Sequence, residues 1–231
     1  MTARVAIVQL AAGQSRRMGA ANKLLLPIAG RPLVARTAEI LLRLRAGPVT
    51  VVLGFEAERV AAVLAGLDVA TVVNPDHAAG QAGSVRAGLN AAPAAQATLV
   101  VPSDQPRLSG SECATLIAAH RAGAAGRITV PYRHGRDGTH ERGMPVVIPA
   151  DLRARIVAGG LRGIGCGGLT REHPDLVHWV EMAGEGCFLD LDTPEDVERE
   201  RARRAAAIWG EDSTDERIAA RPLAASAELD G

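Results

Sequence analysis

Short apolar runs alternate with helical patterns over the first half of the chain. Arg4–Leu10 is a nearly continuous apolar run, as expected of a strand covered on both faces. After a long irregular stretch, Pro32 stands at a helix start. Leu33, Thr37, Ile40, Leu41 and Leu44 then share one face, and Gly47-Pro48 closes the helix. Val49–Leu53 predicts a second strand, Glu56–Leu64 an amphipathic helix and Val69–Asn74 a third strand. A glycine-rich loop beginning at His77 runs into a helix that includes Leu89. Thr98–Pro102 predicts the fourth strand. Ser109-Gly-Ser-Glu112 is a capping box, opening a helix with Cys113, Leu116, Ile117 and His120 along one face. Arg127–Tyr132 and Pro145–Ile148 predict two more strands, joined by the polar loop Arg133–Arg142.

Strands alternating with helices through residue 121 argue for βαβ units. The expected fold is a single α/β domain, a Rossmann-like, mainly parallel sheet with helices on both faces. The second half is less regular, with a helix near Ala150–Val157, a glycine-rich turn at Gly159–Gly168 and a strand at Leu176–Glu181. Thr193, Pro194 and Asp196 supply a cap, an N1 proline and a capping acid for a last helix running to about Trp209. The domain is therefore expected over residues 1–209. Residues 210–231, Ala-rich and of mixed charge, are expected to form a frayed or disordered tail. No internal repeat or interdomain linker is visible.

Composition narrows the class. Of 231 residues 47% are apolar but only 2% aromatic, so the core must be built from Ala, Val, Leu and Ile. The net charge is zero, which gives no footprint for nucleic acid or an anionic membrane. Cys113, Cys166 and Cys187 are odd in number and lack metal-ligand spacing. The first strand begins almost at Met1, and no apolar run reaches transmembrane length. The expected setting is the reduced cytoplasm.

Candidate chemistry starts in the irregular stretch Leu10-Ala-Ala-Gly-Gln-Ser-Arg-Arg-Met-Gly-Ala-Ala-Asn-Lys23. A strand that exits through small residues, with Arg17 and Lys23 beyond it, suits a polyanion. Gly13 lets backbone amides approach phosphate oxygens, and the cations supply charge. The spacing is neither G-x-G-x-x-G nor a Walker A loop. Asp104 stands just past a buried strand, at the edge where open α/β sheets bind ligands, and a carboxylate facing a triphosphate there holds Mg²⁺. An Asx turn before Pro106 is the bland alternative. Asp192, with Asp190 as the alternative, is a candidate second ligand. Their period-two spacing places both on one side of a strand, while complementing a helix dipole is the competing reading. Ser84 and Arg86, behind Gly80 and Gly83, occupy a helix entrance suited to a nucleotide, although Arg86 reads equally as a surface charge. His134, Asp137, His140 and Glu141 fit a solvated, mobile lid better than a metal site. Cys166 reads as a packed cysteine rather than a reactive thiol.

Together these segments resemble the MobA-like nucleotidyltransferases, most closely the molybdenum cofactor cytidylyltransferase branch. The resemblance covers roughly residues 5–200. It rests on Leu10–Lys23, Gly80-Gln-Ala-Gly-Ser-Val-Arg-Ala-Gly-Leu89, Ser103-Asp-Gln-Pro106, Arg142-Gly-Met-Pro145 and Asp190-Leu-Asp-Thr-Pro-Glu-Asp196. It implies a nucleotide-diphospho-sugar transferase-like fold and Mg²⁺-dependent transfer of a nucleotidyl group with loss of pyrophosphate. Leu10, Ala11, Ala12, Gly13, Arg17, Lys23, Gly80, Ser84 and Arg86 would bind the nucleotide. Arg17, Lys23 and Asp104 would carry catalysis, and Asp104 and Asp192 the metal. The implied substrates are CTP, or GTP, and a molybdopterin-type acceptor, with a molybdoenzyme as a further partner. The form Ala11-Ala12-Gly13 and the triplet Asp104-Gln105-Pro106 lean towards CTP. One departure stands out: Gly163-Ile-Gly-Cys-Gly-Gly168 replaces the branch's Gly-Asp-x-Gly-Ala-Arg, removing an acid and an arginine from the acceptor side. The rival readings are guanylyl transfer, another phosphorylated acceptor, a non-catalytic cofactor chaperone and an NAD(P)-dependent oxidoreductase.

Overall fold

The computed structural model of the protein describes residues 5–19, 21–124, 126–135, 138–159, 168 and 172–212, the side chains of 207–212 excepted. In chain order the strands are β1 (Val5–Ala11), β2 (Pro27–Ile28), β3 (Arg31–Pro32), β4 (Val49–Leu53), β5 (Ala70–Val73), β6 (Ala97–Pro102), β7 (Ile128–His134), β8 (His140–Arg142), β9 (Val146–Pro149) and β10 (Val177–Glu181). The helices are α1 (Leu33–Arg43), α2 (Ala57–Leu64), α3 (Gln81–Ala91), α4 (Gly110–Gly123), α5 (Ala150–Val157) and α6 (Pro194–Asp212). Among the described residues no helix is long and apolar enough to cross a membrane.

The main sheet has the order β10-β7-β9-β6-β1-β4-β5, with β8 paired to β7. Pairings β6–β1, β1–β4, β4–β5 and β10–β7 are parallel, and β9 runs antiparallel between β6 and β7. Two antiparallel steps restore direction, so β7 and β10 end on the same edge as β1 and β6. The expected mainly parallel α/β sheet is what forms.

Every residue of β1 is buried, and period-two alternation sends its side chains to two apolar layers. Val5, Ile7 and Ala11 pack under α1, α2 and α4, with Val34, Leu41, Val60, Leu64 and Leu116. Ala6, Val8, Leu10 and Ala12 pack under α3 and α5, with Val85, Leu89, Leu152 and Ile156. Gly88 is needed for that second contact, because a Cβ there would lie 2.4 Å from Val8 Cγ1 and 2.7 Å from Val52 Cγ2.

Three local features differ from the sequence expectation. The stretch before α1 contains a small hairpin, β2–β3, whose Ala29 and Gly30 both take positive φ, as a two-residue turn between right-twisted strands requires. The polar stretch Arg133–Arg142 is a hairpin pairing Arg133 with Glu141 and His134 with His140, not a free lid; Asp137 lies outside the described residues. Asp190 and Asp192 are on an irregular segment rather than a strand. Its buried Leu191 packs with Met18, Ile28, Leu33 and Val197, and alternation still leaves both acids on the other side. Cys166 and residues 163–167 also lie outside the described residues.

Candidate active site

The site forms where β1 and β6 end. Gln9, the polar residue in an otherwise apolar strand, is fully buried. Its Nε2 donates to Val34 O and to Ser103 Oγ, both at 2.9 Å. Ser103 N in turn donates to Leu10 O at 3.1 Å. These bonds fix the backbone just before Asp104 against the end of β1.

The loop after β1 is shaped by Ser15, which takes φ 51° although it is not glycine and accepts a hydrogen bond from Lys23 N at 3.1 Å. Asn22 Oδ1 caps the following turn by accepting from Leu24 N at 3.1 Å. The folded-back loop and the first turns of α3 enclose a cavity of about 430 Å³. Leu10, Ala12, Gly13, Arg17, Lys23, Gly80, Ser84, Asp104 and Asp192 all line it. Nothing stands within 4 Å of where a Cβ on Gly13 would be, so the backbone there is open to a ligand. Gly80 has φ +120°, a conformation a side chain would strain.

Lys23 is the centre of charge. Its Nζ donates to Asp104 Oδ2 at 2.7 Å and to Asp192 Oδ1 at 3.0 Å. Arg17, largely exposed, reaches the other oxygen of Asp192 at 2.8 Å. Burial opposes the lysine's charge, but Asp104 and then Asp192 outweigh it and hold the pKa above its ordinary value. Asp190 is crowded by the same group. Its carboxyl is pushed up to about 6 by desolvation in the cleft and then by Asp104 and Asp192, against a hydrogen bond from Gln105 and the charge of Lys23. By surface area this residue is still exposed, so the shift belongs to a solvent-reached group surrounded by protein and negative charge.

Asp192 comes from far along the chain, and several contacts bring it in. Leu191 N donates to Asp104 O at 2.9 Å. Thr193 and Asp196 cap α6 as expected: Asp196 N donates to Thr193 Oγ1 at 3.2 Å, and Asp196 Oδ2 accepts from Thr193 N at 2.9 Å and Asp192 N at 3.0 Å. Glu200, 1% exposed, then fastens α6 to the loop after Asp104. Its carboxylate accepts from Arg107 Nε at 2.8 Å and Arg204 Nε at 2.7 Å, while Arg204 Nη2 reaches Pro106 O at 2.9 Å.

Two of the expected nucleotide contacts, Ala11 and Arg86, do not line this cavity. The Ala11 side chain faces the opposite apolar layer from Leu10 and Ala12, as alternation along a strand demands. Arg86 lines a separate hollow with Asn74, Asp76 and Gly83, because two helical residues from Ser84 is about 200° of rotation. Ser84 itself is buried, accepting from Asn74 Nδ2 at 3.0 Å. The sequence reading also passed over His77, Gln14 and Gln81, which line the cavity. His77 Nδ1 is buried there without a hydrogen-bond partner. The glycine-rich run starting at His77 was the available signal for it.

An α/β sheet with cations and carboxylates gathered in one cavity at its strand ends is a ligand-binding architecture. The MobA-like NTP transferase domain matches residues 7–175, and the chain belongs to that family. It is 35% identical over 194 residues to the nicotine blue oxidoreductase of Paenarthrobacter nicotinovorans, covering 83% of this chain and 94% of that protein. It is 34% identical over 195 residues to a molybdenum cofactor guanylyltransferase of Cereibacter sphaeroides, covering 82% and 92%. In fold it resembles a nucleotidyl transferase from Methanothermobacter thermautotroptrophicus, with TM-score 0.71 and 24% identity over 88% of this chain and 98% of that one.

Proposed function

We propose that this protein transfers CMP from CTP to the phosphate of molybdopterin, releasing pyrophosphate, in the cytoplasm. The observation that carries the reading is the Lys23 ammonium seated between the carboxylates of Asp104 and Asp192, inside a cavity at the sheet edge. Two carboxylates converging on one cation are the protein's share of a Mg²⁺ site, which takes one or two carboxylates and leaves its other positions to phosphate and water. Asp104 and Asp192 would hold the ion, which supplies charge neutralisation for the triphosphate and the departing pyrophosphate.

The chain's own residues align the donor. Lys23 exchanges its carboxylate partners for phosphate oxygens, Arg17 follows from the loop, and the open backbone at Gly13 offers amide donors. The acceptor phosphate attacks the α-phosphorus. A new P–O bond forms, the bond to the bridging oxygen breaks, and pyrophosphate leaves with that electron pair. A phosphate monoester is mostly dianionic at neutral pH, its second pKa being about 6, so no general base is needed. Catalysis is alignment and charge neutralisation.

CTP is named on Ala11-Ala12-Gly13 and Asp104-Gln105-Pro106, and the relative named for guanylyl transfer makes GTP the competing donor. The test is incubation with Mg²⁺ and each nucleoside triphosphate, with and without molybdopterin, reading pyrophosphate and product mass. Release with CTP that depends on molybdopterin supports the proposal. Release with GTP alone changes the donor, and cofactor binding without release points to a carrier. Asp104→Asn is expected to lose at least about 100-fold in turnover.

A second reading is favoured by the 35% identical relative named as an oxidoreductase. The absence of a G-x-G-x-x-G fingerprint argues against a dinucleotide in the loop after β1. Saturable NAD(P)H binding, with no pyrophosphate released from any nucleotide, would establish it.

A further inference from the structure

The net charge of the chain is zero, yet five arginines converge on one hollow. Arg36 comes from α1, Arg107 from the loop after β6, and Arg201, Arg203 and Arg204 from α6. With Ala29 beside them they line a volume of about 610 Å³, and none of them lines the cavity around Lys23. Positions far apart in sequence supply the charge, so folding assembles it rather than a local basic run.

Carboxylates neutralise only part of that charge. The buried Glu200 is shared by Arg107, Arg204 and, at 3.9 Å, Arg203. Glu185 pairs with Arg107 and Glu198 with Arg201, both acids standing in solvent where such pairs contribute little. Arg36 is left over: among the described residues it forms no ion pair and no hydrogen bond. It is half-buried, and it ends the first turn of α1, which holds no acid, so the helix dipole also disfavours a cation there. Burial, then Arg204 and Arg43, hold its pKa below the ordinary value, and Glu200 and Glu39 offset this only in part. The neighbouring forks have donors to spare. Arg107 uses Nε and Nη1, and Arg204 uses Nε and Nη2. Among the described residues Arg107 Nη2 and Arg204 Nη1 have no acceptor. A half-buried cation facing unfilled guanidinium donors is relieved by an oxyanion, and phosphate oxygens match such forks two at a time. Cations spread around a hollow of this size suit more than one phosphoryl centre.

We propose that Arg36, Arg107, Arg203 and Arg204 bind a diphosphate group, free or carried on a nucleoside, without a metal ion. In the other cavity Asp104 and Asp192 stand against Lys23 and repel phosphate until a further cation joins it. In the hollow the one buried carboxylate is already met by guanidinium groups, so an anion enters unaided. Arg107 and Arg204 also join α6 to the loop after Asp104, and the bound anion therefore braces the segment that presents Asp192.

The test is calorimetric titration of the full chain with inorganic pyrophosphate and, separately, with ADP, both in EDTA, beside thermal unfolding. Saturable binding that raises Tm is expected, and the tighter of the two ligands names the source of the diphosphate. Arg36→Gln should weaken binding about tenfold or more. Arg203→Gln, on an exposed side chain, should weaken it less, and Lys23→Met should leave it unchanged. In anion-free buffer Arg36→Gln should be at least as stable as the parent, because it loses no partner and one repulsion is removed. An arginine with a merely structural role would instead lower Tm without changing affinity. Absence of binding in EDTA, or equal affinity in Arg36→Gln, Arg203→Gln and the parent, overturns the site. Binding lost in Lys23→Met and kept in Arg36→Gln seats the anion in the other cavity and overturns it too.

Discussion

Replacing Lys23 by methionine removes the cation that joins two distant parts of the chain while keeping most of the side-chain volume. Lys23 is 8% exposed and lies 2.7 Å from Asp104 and 3.0 Å from Asp192. At an effective dielectric constant near 20 each pair carries about 6 kcal/mol of raw Coulomb attraction, most of it offset by desolvation. Breaking a fully buried pair costs about 3–5 kcal/mol and a surface pair about 0–1. The carboxylate side chains are 24% and 32% exposed, so the expected loss is intermediate, about 1–3 kcal/mol. For a chain of this size that lowers Tm by about 2–12 °C. The vacated carboxylates should then take Mg²⁺ directly. At tenfold excess over Kd the ion returns about 1.4 kcal/mol, so Mg²⁺ should raise Tm more in Lys23→Met than in the parent. The assay is thermal unfolding with and without Mg²⁺, beside pyrophosphate release, which should fall by at least about 100-fold. A variant with unchanged Tm and no larger response to Mg²⁺ would refute the idea that Asp104 and Asp192 face one cation site.

Glu200→Gln leaves the guanidinium groups of Arg107 and Arg204 short of their shared carboxylate; the expected cost is about 2–4 kcal/mol in urea unfolding, with KM for the donor raised as Asp192 loosens. Asp190→Asn should raise Tm at pH 7. The folded carboxyl titrates near 6 and the unfolded one near 3.8, so its ionisation costs stability progressively as pH rises through that window, and the gain from Asn should vanish below about pH 3.8. His120 and His178 flank the Thr129 hydroxyl, and burial lowers both pKa values. They favour the fold above their unfolded value of about 6.5 and lose that contribution as pH falls, so Thr129→Val should alter the acid limb of a Tm–pH profile and leave pH 8 behaviour close to the parent's apart from packing. Gly88→Ala, driven into Val8 and Val52, should cost about 1–3 kcal/mol by calorimetry.

Much of the sheet was legible along the chain. β1, β4 and β6 are short apolar runs between loop and helix signals, and burial on both faces leaves such strands little freedom to be anything else. The capping box at Ser109–Glu112 and the Thr193–Asp196 cap were readable because each is closed by residues three apart. The loop from Leu10 to Lys23 and the acid at 104 were legible as neighbours, since both follow directly on buried strands that end at one edge of the sheet.

The partnership of those residues was not legible. Nothing local pairs Lys23 with Asp192, 169 positions away; Leu191 in the core, its amide on Asp104 O and the Glu200 clamp bring the acid in. Arg86 looked like Ser84's companion in sequence, and helical rotation sends it elsewhere. Tyr132 and Trp179 are unremarkable apart in the chain and become neighbours because β10 pairs with β7. The sequence by itself determined the main strands, helices and caps, because those depend on contacts within a few residues, and its motifs carried the family. Which side chains share the cavity only the tertiary structure decided, because strand order and helix rotation are set by burial of the whole sheet.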